Sequence, residues 1–164
     1  MEDILQTIIS LVGIALFIVT AYSDVKSFRI PNLLVAAIAL LGVTRLIVVG
    51  DPSLAVYTVG ASAVVLAIGF VLFWQGFIGG GDAKLITAAV LLVGYHDLSS
   101  FLFLMSLCGG LVSLATLVIH RYVPLYLGPK LATLVPTARL SVPYGAAIAG
   151  GGIVTLLFQF SFLG

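Results

Sequence analysis

Leu54–Trp74 reads LAVYTVGASAVVLAIGFVLFW, a run of 21 residues that contains no Asp, Glu, Lys or Arg. An α-helix needs about 20 mostly apolar residues to cross a bilayer core roughly 30 Å thick. The same criterion selects five further stretches: Ile4–Ala21, Leu33–Val49, Ala83–Tyr95, Leu98–Ile119 and Tyr144–Phe162. The sequence therefore predicts an all-α, polytopic membrane protein with about six transmembrane helices. Because the fourth stretch is short, a fused or re-entrant arrangement with five spans stays open.

The composition of the whole chain also indicates a membrane protein. Its 164 residues are 62% hydrophobic and 8% charged, and the mean hydropathy is +1.29. Soluble domains carry roughly 25% charged residues. A net charge of +1 without a Lys/Arg cluster argues against nucleic-acid binding. We interpret residues 1–164 as a single transmembrane domain whose surroundings are the lipid bilayer.

The distribution of Lys and Arg predicts the orientation of the helices. Alternating helices place the first, third and fifth loops on one side of the membrane. These loops carry six of the seven basic residues: Lys26, Arg29, Lys84, Arg121, Lys130 and Arg139. The seventh, Arg45, lies near the other side, where we expect its side chain to extend outward. The positive-inside rule then predicts that the basic loops are cytoplasmic and that both termini are outside.

Two acidic residues, Asp24 and Asp82, lie at predicted helix ends on the basic side. Carboxyl groups at the bilayer boundary are costly, and they are commonly functional. Each also has a structural interpretation: Asp24 can be a loop charge paired with Lys26 or Arg29, and Asp82 can be a helix N-cap. Two carboxyls brought together share a proton, so one can activate water while the other protonates a peptide carbonyl.

The tripeptide Gly79-Gly80-Gly81 comes directly before Asp82. Glycine allows a close approach of another backbone, and we expect these residues to admit an extended peptide beside the carboxyl. Lys84 is a weaker candidate for tuning Asp82 or for anchoring the helix at the headgroups. A phosphate-binding loop is disfavoured because Lys84 is followed by Leu85 instead of Ser or Thr.

Other catalytic arrangements are poorly supported by the sequence. His96 and Asp97 fall on the opposite side, His120 stands alone, and there is no H-E-x-x-H motif. The single cysteine, Cys108, excludes an intrachain disulfide and a Cys-rich zinc site. We therefore predict neither a metal nor an organic cofactor.

Two non-peptidase classes remain as alternatives. A small cation or proton transporter would use membrane-boundary aspartates to bind ions, and it predicts acidic residues along a path across the bilayer. A structural membrane subunit predicts that neutralising Asp24 or Asp82 is harmless. No other acidic residue lies well within a predicted span, and this disfavours the transporter.

Local patterns give two further expectations. Pro31 ends the first loop, and Asn32 is predicted to cap the second helix. After the fifth span, the segment Arg121–Pro143 contains four prolines, several leucines and three basic residues. We expect that segment to lie along the headgroup region.

Three motifs together resemble the landmarks of the type IV prepilin peptidases, which are membrane aspartic proteases with a GxGD signature. They are Asp24 with Arg29-Ile30-Pro31-Asn32, then Gly79-Gly80-Gly81-Asp82-Ala83-Lys84-Leu85, then Val142-Pro143-Tyr144-Gly145-Ala146-Ala147-Ile148. The resemblance extends from the first span to the last. It implies that Asp24 and Asp82 are a catalytic dyad. It also implies that prepilin-like or preflagellin-like substrates lose a short basic leader at the cytoplasmic face of the inner membrane.

One departure from the family pattern narrows the resemblance. Longer members carry an extra cytoplasmic region with paired CxxC motifs and also N-methylate the new N-terminus. Cys108 is the only cysteine of this chain. The chain is therefore most similar to the short, peptidase-only branch, which includes the tight-adherence (Flp-type) prepilin peptidases and the archaeal preflagellin peptidases. Methyl transfer is not expected.

Overall fold

The computed structural model describes residues 2–132 and 143–162, with side chains over residues 4–118 and 143–159. The described residues form α-helices and no strand, so the predicted all-α fold is confirmed. The helices are α1 Glu2–Ser27, α2 Asn32–Val49, α3 Pro52–Trp74, α4 Gly80–Val93, α5 Leu98–Ala132 and α6 Tyr144–Phe162.

Four of these helices are long and apolar enough to cross a membrane. The spans are Ile4–Ser27, Asn32–Val49, Pro52–Trp74 and Leu98–Val118, and the apolar part of α6 is shorter. α4 has 14 residues, and at 1.5 Å per residue it is only about 21 Å long. The chain is therefore a multi-pass membrane protein in which α4 is a short helix among longer ones.

α4 occupies the centre of the bundle. It packs against α2, α3, α5 and α6, while α1 packs against α2 and α6. Half of the residues of α4 are buried: Ala83, Leu85, Ala88, Ala89, Val90, Leu92 and Val93. Large apolar side chains such as Leu33 and Trp74, which are 80% and 81% exposed, point away from this core. Such an outward apolar surface suits lipid, and the buried central helix is surrounded by protein.

The end of α1 differs from the prediction. The apolar run stops at Ala21, but the helix continues to Ser27 and includes Asp24. It ends because Phe28 adopts a φ of +49°, and its N–H donates to the Asp24 carbonyl at 2.7 Å. Apolar composition marks the part of a helix that suits lipid, whereas the helix itself ends where the backbone leaves helical geometry. Asp24 is consequently held by a helix rather than by a loop.

The N-terminal caps also differ from the prediction at α2. Pro31 is the N-cap residue, Asn32 is the first helical residue, and no side chain caps this helix. At α3, in contrast, the Asp51 carboxylate accepts hydrogen bonds from the N–H groups of Ser53 and Leu54. The Ser53 hydroxyl and these two N–H groups hold the pKa of Asp51 below its usual value.

α5 is longer than predicted, because the helix passes Ile119 and continues to Ala132. Part of the segment that we expected along the headgroups, Arg121–Pro143, is therefore a continuation of α5. Residues 133–142 of that segment lie outside the described residues.

Candidate active site

Asp24 and Asp82 line the same cavity, which has a volume of about 670 Å³. It lies at the end of the bundle where α1 ends and where α4 and α6 begin. The other lining residues are Phe28, Arg29, Ile30, Asn32, Gly76, Phe77, Ile78, Gly79, Gly81 and Tyr144. The fold thus brings the two predicted carboxyls, which are far apart in the sequence, to one side of the bundle.

Asp24 is held by the N-terminus of α6. The residue is 5% exposed, and its Oδ2 accepts a hydrogen bond from the Ala146 N–H at 3.0 Å. The Gly145 N–H is a second backbone donor to the same group. These are free donors of the first helical turn, and a carboxylate at a helix N-terminus is also favoured by the helix dipole. The sequence motif around Tyr144–Ile148 therefore holds the Asp24 carboxylate through its backbone N–H groups.

Gly145 is required by this contact. A Cβ atom at this position would lie 2.9 Å from the Asp24 Oδ2 and 2.8 Å from the Ile30 Cδ1. Both distances are shorter than ordinary van der Waals contact between such atoms. Any larger residue would therefore displace either the Asp24 carboxyl or the Ile30 side chain.

Asp82 is the third residue of α4, whose N-cap residue is Gly79. The alternative interpretation of Asp82 as the N-cap residue is therefore wrong, because the helix already begins at Gly80. Its carboxyl reaches back to accept the Gly79 N–H, as the acidic residue of a capping box does. A Cβ atom at Gly79 would lie 2.8 Å from the Asp82 Oδ2. This glycine makes room for the carboxyl.

The environment of Asp82 favours its protonated form. Asp82 precedes the apolar part of α4 and lies outside the four long spans. Burial raises the pKa of Asp82, the nearby charge of Asp24 raises it further, and the Gly79 N–H lowers it in part. A carboxyl of this kind keeps its proton to a higher pH than an ordinary aspartate does. The two carboxyls are close enough for the charge of one to act on the other.

The structure distinguishes among the remaining predicted site residues. Gly79 and Gly81 line the cavity. Gly80 faces the Phe73 ring, which a Cβ atom there would meet at 3.2 Å. The Lys84 side chain is exposed, and it is not among the lining residues of this cavity.

Sequence reasoning missed the apolar wall of the cavity. Phe28, Phe77, Ile78 and Tyr144 contribute large apolar side chains to it. Each of these residues lies within four positions of Asp24, of the glycine tripeptide or of Pro143. Their closeness to these motifs in the sequence is the signal from which they could have been predicted. The cavity therefore combines two carboxyls with an apolar surface, a combination that suits an extended peptide with apolar side chains.

The fold and the site together define a multi-pass helical membrane protein with two carboxyl groups in one cavity at one end of its bundle. The model of the type IV leader peptidase family matches residues 11–114, which is more than half of the chain. The chain belongs to the type IV leader peptidase family, and it is a peptidase. The matched region includes Asp24 and Asp82, whereas the Gly145 region lies beyond it. No curated protein and no solved structure matches the chain.

Proposed function

We propose that the protein is an aspartic endopeptidase that removes the short basic leader from type IV prepilin-like precursors. The observation that carries the proposal is the position of Asp24 and Asp82 in one cavity. Peptidases of this family act on prepilin-like substrates. Cleavage takes place at the cytoplasmic face without methyl transfer, and residues 1–164 form one peptidase domain.

In the proposed mechanism, the two aspartates share one proton. Asp24 accepts two backbone N–H groups and Asp82 accepts one, which favours the proton on Asp82. The ionised Asp24 removes a proton from water as that water attacks the scissile carbonyl carbon. Asp82 donates its proton to the carbonyl oxygen. The tetrahedral gem-diol then collapses: the C–N bond breaks, the leaving amine takes the proton held by Asp24, and one hydroxyl returns a proton to Asp82 as the carbonyl forms again.

The cavity wall supports a substrate with apolar residues beside the scissile bond. Phe28, Phe77 and Tyr144 lie on the wall, and the carboxyls of Asp24 and Asp82 lie at the same cavity. Arg29 also lines it, so a basic leader is expected to leave the cavity on the side away from Arg29. Because the Lys84 side chain is exposed, the proposal gives it a headgroup-anchoring role instead of a substrate contact.

The orientation and the absence of methyl transfer rest on the sequence. Lys26, Arg29 and Lys84 all lie at the end of the bundle that holds the candidate site, and the positive-inside rule assigns that end to the cytoplasm. The chain contains a single cysteine, Cys108. It cannot provide the paired CxxC motifs that the methylating relatives carry.

The decisive experiment is a cleavage assay in membranes. Wild type, Asp24→Asn and Asp82→Asn would each be co-expressed with a prepilin precursor, and processing would be followed by mass spectrometry. Asn keeps the shape of Asp and removes the ionisable group, so each variant should lose at least about 1000-fold in rate. Asp51→Asn is the matched control, because Asp51 is an exposed cap at the other end of the bundle, and its processing rate should match the wild type.

The opposite result has a clear meaning. If processing survives in either variant while both are inserted at wild-type levels, the dyad mechanism is wrong. The same variants would then be reconstituted in vesicles. A cation or proton flux that needs both aspartates would identify a transporter.

A further inference from the structure

A second cavity lies at the opposite end of the bundle, and the proposed peptidase reaction does not use it. Its volume is about 660 Å³, and it shares no lining residue with the first cavity. The lining residues include Gln6 of α1. At 1.5 Å per residue, Gln6 is roughly 27 Å from Asp24 along the axis of this helix. The second cavity is therefore a separate site.

Arg45 and Asp97 form the charged part of this cavity. Contrary to the prediction that Arg45 extends outward, its Nη1 donates to the carbonyls of Leu92 and Val93 at 3.0 Å and 2.7 Å. These bonds employ Nη1, while the guanidinium also carries N–H donors on Nε and Nη2. The cavity therefore has a fixed cation with further donor capacity.

Asp97 supplies a fixed anion next to that cation. Its Oδ2 accepts a hydrogen bond from the Gln159 Nε2 at 2.6 Å, and the same Nε2 donates to the Val93 carbonyl at 2.8 Å. An ionised carboxylate has about four lone-pair sites over its two oxygens, so Asp97 can accept further donors. The charges of Arg45 and Asp97 act on each other. The site thus presents one positive and one negative group in the same cavity.

The cavity also has an apolar wall that faces outward, beside polar side chains such as Ser100 and Thr155. Phe103 and Leu104 of α5 and Phe158 of α6 line it. Phe103 is 70% exposed and Phe158 is 56% exposed, so both reach the surface that the bilayer covers. A ligand that fits this arrangement needs a phosphate-like anion, a nearby cation and hydrocarbon chains.

We propose that this cavity binds a zwitterionic phospholipid with an ethanolamine headgroup. The phosphate is held by the Nε and Nη2 donors of Arg45, the primary ammonium donates to Asp97, and an acyl chain packs along Phe103 and Phe158. A purely anionic headgroup would leave Asp97 without a cationic partner. A neutral diacylglycerol would leave Arg45 and Asp97 without ligand partners, and a soluble metabolite would leave the apolar wall exposed.

Native mass spectrometry of the full chain in detergent tests the proposal. Phosphatidylethanolamine, phosphatidylglycerol and diacylglycerol with identical acyl chains would be titrated separately. Since hydrogen bonds to charged groups are the strong ones, the ethanolamine lipid should bind about tenfold more tightly than phosphatidylglycerol. Equal affinity for the three lipids would overturn the proposal.

Two variants locate the binding site without removing Arg45, which also holds the end of α4. Leu104→Trp fills the cavity and should reduce binding of the ethanolamine lipid about tenfold or more. Leu111→Trp is the matched control, because Leu111 lies two turns further along α5, is 61% exposed and does not line the cavity. Equal loss in both variants would contradict the proposed location.

Asp97→Asn tests the headgroup chemistry. Asn keeps an oxygen that can accept the Gln159 N–H, but it removes the negative charge that attracts the ammonium. The preference for phosphatidylethanolamine over phosphatidylglycerol should then fall to near one. An unchanged preference would overturn the assignment of Asp97. A dimer mass that Leu104→Trp abolishes, with lipid binding unaltered, would show that a second copy occupies this surface and would also overturn the proposal.

Discussion

The two ends of α4 carry opposite kinds of polar group. At its N-terminus the carboxyl of Asp82 accepts the Gly79 backbone N–H, and Asp24 lies in the same cavity. At its C-terminus the guanidinium of Arg45 donates to the last carbonyls. Both arrangements agree with the helix dipole, which favours anions at the N-terminus and cations at the C-terminus.

The difference between the ends lies in charge balance. At the C-terminal end, the positive Arg45 has the negative Asp97 nearby, and Gln159 links Asp97 to α4. At the N-terminal end, two like charges act on each other, and the charge of Asp24 raises the pKa of Asp82. A cluster in which opposite charges balance stabilises a fold, whereas two like charges held close together destabilise it. Unfavourable arrangements of this kind concentrate at functional sites, which supports assigning the chemistry to the N-terminal end.

Gly145→Ala should have a large effect on activity, second only to the loss of a catalytic carboxyl. The new Cβ would lie 2.9 Å from the Asp24 Oδ2, so the carboxyl must move. A displacement of about 1 Å in a catalytic group can cost roughly 100-fold in rate, and that loss is expected in the prepilin cleavage assay. Gly60→Ala is the control, because a Cβ there meets nothing within 4 Å. A fully active Gly145→Ala variant would remove the reason for assigning Asp24 a fixed position.

The next effect concerns stability at the other end. Arg45→Met leaves the Leu92 and Val93 carbonyls without their charged donor. Hydrogen bonds to charged groups contribute about 1.5–3 kcal/mol, so the free energy of unfolding should fall by roughly 2–4 kcal/mol. Unfolding in mixed detergent measures it. Ile47→Met, at a position of the same helix that is 74% exposed, should be close to neutral. Equal stability of Arg45→Met and wild type would mean that this end does not hold α4.

The smallest effect is a pH-dependent change in stability at Asp82. Because the pKa of Asp82 is raised above 3.8 in the fold, the native state binds the proton more tightly than the unfolded state does. Stability therefore falls as pH rises from 3.8 through the raised pKa. Asp82→Asn removes the ionisable group and therefore this pH-dependent loss of stability. The variant should be more stable than the wild type at neutral pH. The difference should disappear below pH 3.8.

Asp51→Asn provides a comparison of opposite sign. The pKa of Asp51 lies below its usual value, so its charged form stabilises the native state. This variant should be less stable than wild type at neutral pH, and the difference should shrink as the pH falls. Unfolding midpoints measured between pH 3 and pH 7 distinguish the two signs. If both variants were more stable than the wild type at neutral pH, or both less stable, the contrast between the two aspartates would be wrong.

Helix existence was predictable from the sequence, but several helix ends were not. Leu54–Trp74 and Tyr144–Phe162 were predicted within two residues of the observed helices, because long uncharged runs have few other stable forms in a bilayer. The end of α1 was missed because it depends on the left-handed backbone of Phe28, and hydropathy does not report backbone dihedrals. α5 likewise continues past its apolar part.

The candidate site was only partly predictable. Charge at a membrane boundary selected Asp24 and Asp82, and glycine content selected Gly79. The roles of Gly145 and Phe28 were not predicted, because they arise from contacts with a carboxyl that another helix supplies. The same limit applies to Arg45, whose inward direction depends on the nearby end of α4.

By itself, the sequence determined the helical class, the segments that suit lipid and the end of the bundle where the basic residues gather. These properties follow from composition and short-range patterns, and the bilayer enforces them on each helix separately. Tertiary structure alone decided that Asp24 accepts its hydrogen bond from Ala146, which is 122 residues away. It also decided that Asp82 shares that cavity and that Arg45 closes the other end of α4. Such contacts depend on how the helices pack, and packing is a property of the whole bundle.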